Sequence, residues 1–293
     1  MTRTGLLFAT LTFTVACTDD KSGQDPSTDS GETAETATRG LPEGTTTWEG
    51  DLSMSTYGFI FELSIDNSDG DLQAVATVMD DPDAPVGIGT ATFSLTGTHD
   101  PVSGRVALAP DAWIVESSIA LELVGLTATY DPDTSTLSGM IQDYASGSDN
   151  TLAGGPATAT LVTGDGAPTA AGDGAKAIPA GAHSFTGTMQ CTGDPRDVAG
   201  TLSYDGDGGV EGTIIVGDPG VDTPRGTLNV IGVHNPSTGR LTLVPGTWQE
   251  PSENAPLGFF VEGAFDPSTS TFTGGLRTNV NACPDSTWSA VLE

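Results

Sequence analysis

The chain has 293 residues, enough for two domains, and sets 39 acidic residues against 9 basic ones, a formal net charge of −30. Such a surface repels nucleic acid, whose binding depends on Lys and Arg neutralising phosphates, and it repels an anionic membrane surface as well. With 39 glycines and 6% aromatic residues the composition is that of turn-rich β structure, and beyond the N-terminus no apolar run approaches the ~20 residues that span a bilayer.

Residues 1–16 read as a signal peptide, with Arg3 in a short leading region followed by an apolar stretch over 6–16. The stretch ends at Cys17, and the string Thr14-Val15-Ala16-Cys17 resembles a bacterial lipobox, with a small residue before the Cys and Thr14 where Leu is usual. The resemblance implies that Cys17 is acylated and becomes the mature N-terminus. The alternative is an ordinary secretory signal cleaved nearby, with Cys17 incidental. Thr18 rather than Asp follows the Cys, which by the same resemblance implies the outer membrane, with the protein periplasmic or surface-exposed. The lipid would be its membrane contact. From the Cys to residue 46 the chain is acidic, and Leu41 is its one sizeable apolar side chain, so a disordered tether over 17–46 is expected. Its length would hold the folded part away from the membrane.

The rest is one pattern written twice. Thr98–Trp113 aligns with Val233–Trp248, and Thr129–Gly139 with Ala264–Gly274, both at an offset of 135. Trp48-Glu49-Gly50 matches Phe185-Thr186-Gly187 at 137, and Leu63–Asp66 matches Leu202–Asp205 at 139, so the drift reflects short indels in loops. This places β-domains at 47–163 and 183–293, joined by a Gly/Ala/Pro-rich linker over 164–182.

In copy one, Phe59, Phe61, Leu63 and Ile65 alternate with more polar neighbours, as do Ala91, Phe93 and Leu95. Turn clusters divide the copy into about eight strands, at 48–55, 58–66, 71–80, 87–99, 104–115, 118–130, 136–143 and 156–163. In the Asp/Asn-Pro-x-Ser/Thr-Gly units, Pro presets φ, the first side chain accepts from the turn backbone, and Gly takes a left-handed conformation. Short links favour sequential pairing. The expected fold is all-β, two tandem antiparallel meanders each closing into an up-and-down barrel, with a two-sheet sandwich as the alternative.

Of the three cysteines, Cys191 ends the first strand of copy two and Cys283 precedes its last. In a closed meander those strands are neighbours, so a disulfide between them is expected in an oxidising compartment; two separate thiols are the alternative. The Trp-x-Gly opening at Trp48 followed by eight short strands distantly resembles avidin and lipocalin-type barrels, which implies the barrel but transfers no binding residue.

His99 and Arg105 correspond to His234 and Arg240, each pair flanking the Pro-containing turn, and they suggest either a pair bracing a hairpin base or a repeated polar ligand site. Trp113 and Trp248 coincide as packing residues or an aromatic platform. Asp66, Asp69 and Asp71, with Asp205 and Asp207, alternate as in calcium loops, but a glutamate at the twelfth position and flanking helices are missing; they read as solvated turns or weak calcium sites, with no other cofactor suggested. Nucleophile, zinc and phosphate-loop motifs are lacking, so the expectation is a non-enzymatic envelope lipoprotein whose duplicated domains bind or brace a partner. A carrier of a small apolar ligand inside each barrel and a calcium-dependent adhesion module are the alternatives.

Overall fold

Alternating side chains and short turns build sixteen strands, all antiparallel to their neighbours. A computed structural model describes residues 38–54, 57–68, 71–83, 85–117, 123–142, 154–191, 195–217, 224–249, 258–278 and 285–293. Copy one forms β1 (Gly44–Met54), β2 (Tyr57–Ser68), β3 (Asp71–Asp80), β4 (Thr90–His99), β5 (Arg105–Val115), β6 (Gly125–Asp131), β7 (Thr136–Gln142) and β8 (Gly155–Thr163). Copy two forms β9 (Gly181–Gln190), β10 (Arg196–Tyr204), β11 (Gly209–Gly217), β12 (Pro224–His234), β13 (Arg240–Trp248), β14 (Phe260–Asp266), β15 (Thr271–Arg277) and β16 (Thr287–Leu292). Each strand pairs with the next, β8 returns to β1, and β16 returns to β9. The result is two closed eight-stranded barrels, not sandwiches.

At the closing ladder of each barrel a glycine faces the backbone of the neighbouring strand, as glycines do in several other ladders. A Cβ on Gly50 in β1 would run into the Thr158 carbonyl of β8, and one on Gly187 in β9 would run into the Ser289 carbonyl of β16. The turns repeat as well. Asp100 accepts from the Val102 and Ser103 N–H groups and Asn235 from those of Ser237 and Thr238, while Gly104 and Gly239 share a φ of 77°. Gly is required there because side chains rarely tolerate that region.

The alternating residues of β2, β3 and β4 point inward, where Phe59, Phe61, Leu63, Ile65, Leu72, Ala74, Phe93 and Leu95 are all buried. The first barrel is filled by them: the void among Leu52, Phe61, Phe93, Leu126 and their neighbours measures about 20 Å³, room for about one water.

Three boundaries differ from the sequence expectation. Leu41 is buried and β1 begins at Gly44, so the stretch expected as tether up to 46 ends earlier. β6 begins at Gly125 rather than 118, and residues 118–122 lie outside the described set. The stretch expected as a linker is tied to both barrels: the Thr169 N–H donates to the Leu41 carbonyl (2.9 Å), the Glu43 N–H to the Ala167 carbonyl (2.8 Å), and the Lys176 N–H to the Pro236 carbonyl (2.9 Å). Its Ile178 is buried in the second core, and β9 starts at Gly181. A side-chain pattern missed this segment because backbone groups do most of the tying.

Candidate functional site

The residues singled out from the sequence divide between the barrel ends and a seam between the barrels. Within each turn the His and the Arg part company. His99 pairs with Val106 in the β4–β5 ladder, whereas Arg105 pairs with Thr129 of β6. His99 and His234 are fully buried, and burial lowers the pKa of each to about 4. Arg105 and Arg240 instead point outward, half-exposed, to carboxylates of the other barrel. A hairpin-base pair or a joint His–Arg site is therefore not what these residues form.

The seam explains an irregularity in the strands that build it. In β5 the four residues Val106, Ala107, Leu108 and Ala109 are all buried, and in β13 so are Leu241, Thr242, Leu243 and Val244. One alternate set fills each barrel; the other faces the opposite barrel. Ala107 and Ala109 join Val233, Val244 and Phe260 in an apolar cluster between the two. Burial on both faces turns an alternating pattern into a continuous one.

Ion pairs flank this cluster reciprocally. Arg105 of barrel 1 meets Asp205 at the β10–β11 turn, and Arg240 of barrel 2 meets Asp71 at the β2–β3 turn, the latter in a two-pronged arrangement at 2.5 Å. The Thr98 and Thr242 hydroxyls bond at 2.8 Å in the buried interior of the seam, and the Asn235 side-chain amide donates to the His99 carbonyl at 2.8 Å.

A groove runs along each side. The first, about 460 Å³, is lined by β5–β7 residues of barrel 1 such as Thr127 and Met140 and by barrel 2 residues such as Glu211 and Ile231. The second, about 400 Å³, takes the matching positions with the barrels exchanged: Glu262 and Gly275 from barrel 2, Gln73 and Thr96 from barrel 1. The grooves are thus equivalent in position and different in chemistry. Met140 and Ile231 expose apolar surface in the first. In the second, Glu262 accepts from the Thr96 hydroxyl (2.7 Å) and from Arg277 Nε (3.2 Å), and Arg277 also reaches Asp111 of barrel 1 at 3.6 Å. Burial holds the Glu262 carboxyl above the usual glutamate range, against the opposing pull of Thr96, Arg277 and Arg240. Three of the nine basic residues of the chain therefore stand at this seam.

Of the other candidates, Asp71 and Asp205 are the seam carboxylates just described. Asp66 accepts from the Ser68 hydroxyl, Asp207 is exposed, and Asp69 lies outside the described residues. Among the described residues no group of three or more His, Cys, Asp or Glu side chains is disposed to hold a metal ion. Asp80, in a third acidic run, accepts from the backbone N–H groups of Val86, Gly87, Ile88 and Gly89 and so folds its own loop. Trp113 packs edge-on against Phe93 at 5.5 Å between ring centres as part of the first core; the Trp248 side chain lies outside the described set. Cys191 is disulfide-bonded, and Cys17 and Cys283 lie outside the described residues. Because Gln190 pairs with Thr287, the chain just before β16 passes beside Cys191.

No protein-family model matches this chain, and no curated protein matches it either.

Proposed function

We propose that the chain is a non-enzymatic cell-envelope lipoprotein, anchored to the outer membrane through Cys17, whose paired barrels present the two seam grooves to a partner. The groove pair carries this reading, because it is a shared, concave feature of both copies and each groove takes residues from both. Two quasi-equivalent grooves give a divalent partner the effective-concentration gain of a second, intramolecular contact. The small void in barrel 1 and the pairing of Asp71 and Asp205 with arginines favour the groove reading over a ligand held inside the barrel or calcium bound at those turns. In this reading Cys191 and Cys283 form the bridge that fastens the first and last strands of barrel 2.

The anchor is tested by mass spectrometry of the mature N-terminus and by fractionating a Cys17→Ser variant, which should move from membrane to soluble fraction. The grooves are tested by photo-cross-linking in cells from Met140 and from Thr273, one in each groove, with exposed Val162 of β8 as the control. Adducts from both groove positions and none from Val162 support the reading; equal adducts from all three defeat it.

A further inference from the structure

The seam maps onto itself when the barrels are exchanged. Arg105 and Arg240 are equivalent and each reaches a carboxylate at the facing hairpin of the other barrel, though Asp205 stands at the position of Asp66 and Asp71 at that of Gly209; the Thr98–Thr242 pair mirrors Val233 and Ala107. Phe260 packs on Gly125, the position equivalent to itself at the offset of 135, so the pair marks the pseudo-two-fold axis. This is the contact pattern of a symmetric dimer, residue i on j and j on i.

At three places, however, the two faces are complementary rather than alike. A large ring at Phe260 meets a bare backbone at Gly125; two second barrels would set ring against ring, and two first barrels would leave a gap. The buried Thr98 and Thr242 hydroxyls satisfy each other; in a like pair Thr98 would meet Ala107, and Thr242 would meet Val233, orphaning the hydroxyl. Glu262 accepts from Thr96; against another second barrel it would face Ile231 instead, a carboxylate on an apolar side chain. The ion pairs do not discriminate, since Arg105–Asp71 and Arg240–Asp205 would serve like pairs equally well.

We propose that this face is a self-sufficient recognition surface specific for the unlike barrel: barrel 1 binds barrel 2 without needing the covalent connection, and neither binds its own kind. The ion pairs set register, while the ring-on-glycine, paired hydroxyls and Glu262–Thr96 contact reject the like partner, as interfaces tuned against a wrong partner do.

The test uses the full chain with a protease site inserted between Ala170 and Ala171. That point follows the last bond to barrel 1, at Thr169, and precedes the Lys176 bonds to barrel 2. After cleavage the halves should remain one complex by native mass spectrometry at micromolar concentration. Mixing cleaved labelled and unlabelled protein should yield exchanged unlike pairs, with like pairs about 100-fold rarer or less. Halves that separate on cleavage overturn the self-sufficient interface; like and unlike pairs in equal amounts overturn its specificity. A second version gives barrel 2 the first barrel's face through Ile231→Thr, Val233→Thr, Thr242→Ala, Phe260→Gly and Glu262→Thr, and is mixed with the cleaved parent. Pairs of a variant with a parent second barrel should then appear; their continued absence with a folded variant would assign the rejection to other residues and overturn this account of it.

Discussion

The two barrels share strand order, turns and closure, yet they are finished differently at the end where the buried histidine sits. In barrel 1 the segment before β1 folds across that end: the Leu41 N–H donates to His99 Nε2 at 3.2 Å, and Asn67 donates to the Leu41 and Pro42 carbonyls and to Thr169. In barrel 2 Ile178 takes the place of Leu41 and is buried, but neither ring nitrogen of His234 has a hydrogen-bond partner among the described residues. Tyr204 and Phe265 meet the His234 ring edge-on at 5.4 and 6.3 Å, and Gly206 stands at the position of Asn67 by the 139 offset. The lesson is that duplication kept the shape of the plug and let its polar satisfaction lapse. Barrel 2 carries the disulfide-bonded Cys191 instead, whereas the first copy has no cysteine.

The cross-link is the largest difference to break. The proposed bridge from Cys191 to Cys283 would enclose a loop of about 92 residues and on the chain-entropy model would contribute roughly 4–5 kcal/mol. Cys191→Ser with Cys283→Ser should lower the stability of barrel 2 by that order. Hydrogen exchange followed by mass spectrometry, resolved by barrel, should show β9 and β16 losing protection well ahead of β1 and β8. Equal loss in both barrels would mean that the seam passes the destabilisation across.

Acid sharpens the contrast between the barrel ends. Burial keeps both imidazoles neutral in the fold, with pKa values near 4, while the unfolded chain titrates near 6.5. Between these values the unfolded state binds more protons, so stability is complete above about pH 6.5 and falls as the pH drops toward 4, by about 3 kcal/mol for each histidine. His234→Phe should flatten half of this slope at little cost at pH 7, since it removes unpartnered nitrogens from among aromatic rings. His99→Phe flattens the other half but leaves the Leu41 N–H unpaired, costing about 1–3 kcal/mol at pH 7. Urea unfolding at pH 7.5, 6 and 4.5 reads both effects. Equal costs for the two variants at pH 7.5 would erase the distinction between the ends.

What the sequence made legible was whatever is local. The alternation of Phe59, Phe61, Leu63 and Ile65 defines an inward face, the proline turns define hairpins, and the fixed offset defines two copies; short links then close each barrel. What it hid was everything between the copies. Arg105 and Arg240 stood out as repeated positions, but their nearest polar neighbours in the chain suggested a hairpin partner, whereas their carboxylates lie 100 and 169 residues away. A signal was present in the first copy: alternation fails over the apolar run Val106–Ala109, and a strand buried on both faces must have a second neighbour; in the second copy the buried Thr242 between Leu241 and Leu243 hides it. The grooves had no such signature, because each is assembled from residues of two domains that no linear pattern joins.

Asn67 tests how far the first barrel depends on its cap. Its buried side-chain amide bonds Leu41, Pro42 and Thr169, so Asn67→Ala should cost about 1–3 kcal/mol and loosen both the segment before β1 and the connecting segment. Faster proteolysis near Thr169 in the variant is the expected readout. An unchanged rate would show that the backbone bonds of Glu43 and Thr169 hold the segment without it.

The smallest effect concerns the two grooves. Burial raises the Glu262 pKa, so the carboxyl favours the fold in its protonated form; that contribution is complete below the ordinary glutamate range and is lost as the pH rises through the folded value. Glu262→Gln keeps an acceptor for Thr96, removes the charge, and gives up the bond from Arg277. Relative to the parent, the variant should therefore gain stability between pH 4 and pH 7, with the net change at neutral pH within about 1 kcal/mol because the pair is partly exposed. Thermal midpoints at the two pH values decide it. A variant that falls behind as the pH rises would mean that attraction to Arg277 outweighs burial, making the second groove's charges part of the glue of the seam. A variant that gains would mean that the chain keeps, at this one groove, a charge that works against its own stability. The first groove, with Thr127 at the same position, shows that the fold does not require the charge, and its rejection of a second copy of barrel 2 then accounts for its presence.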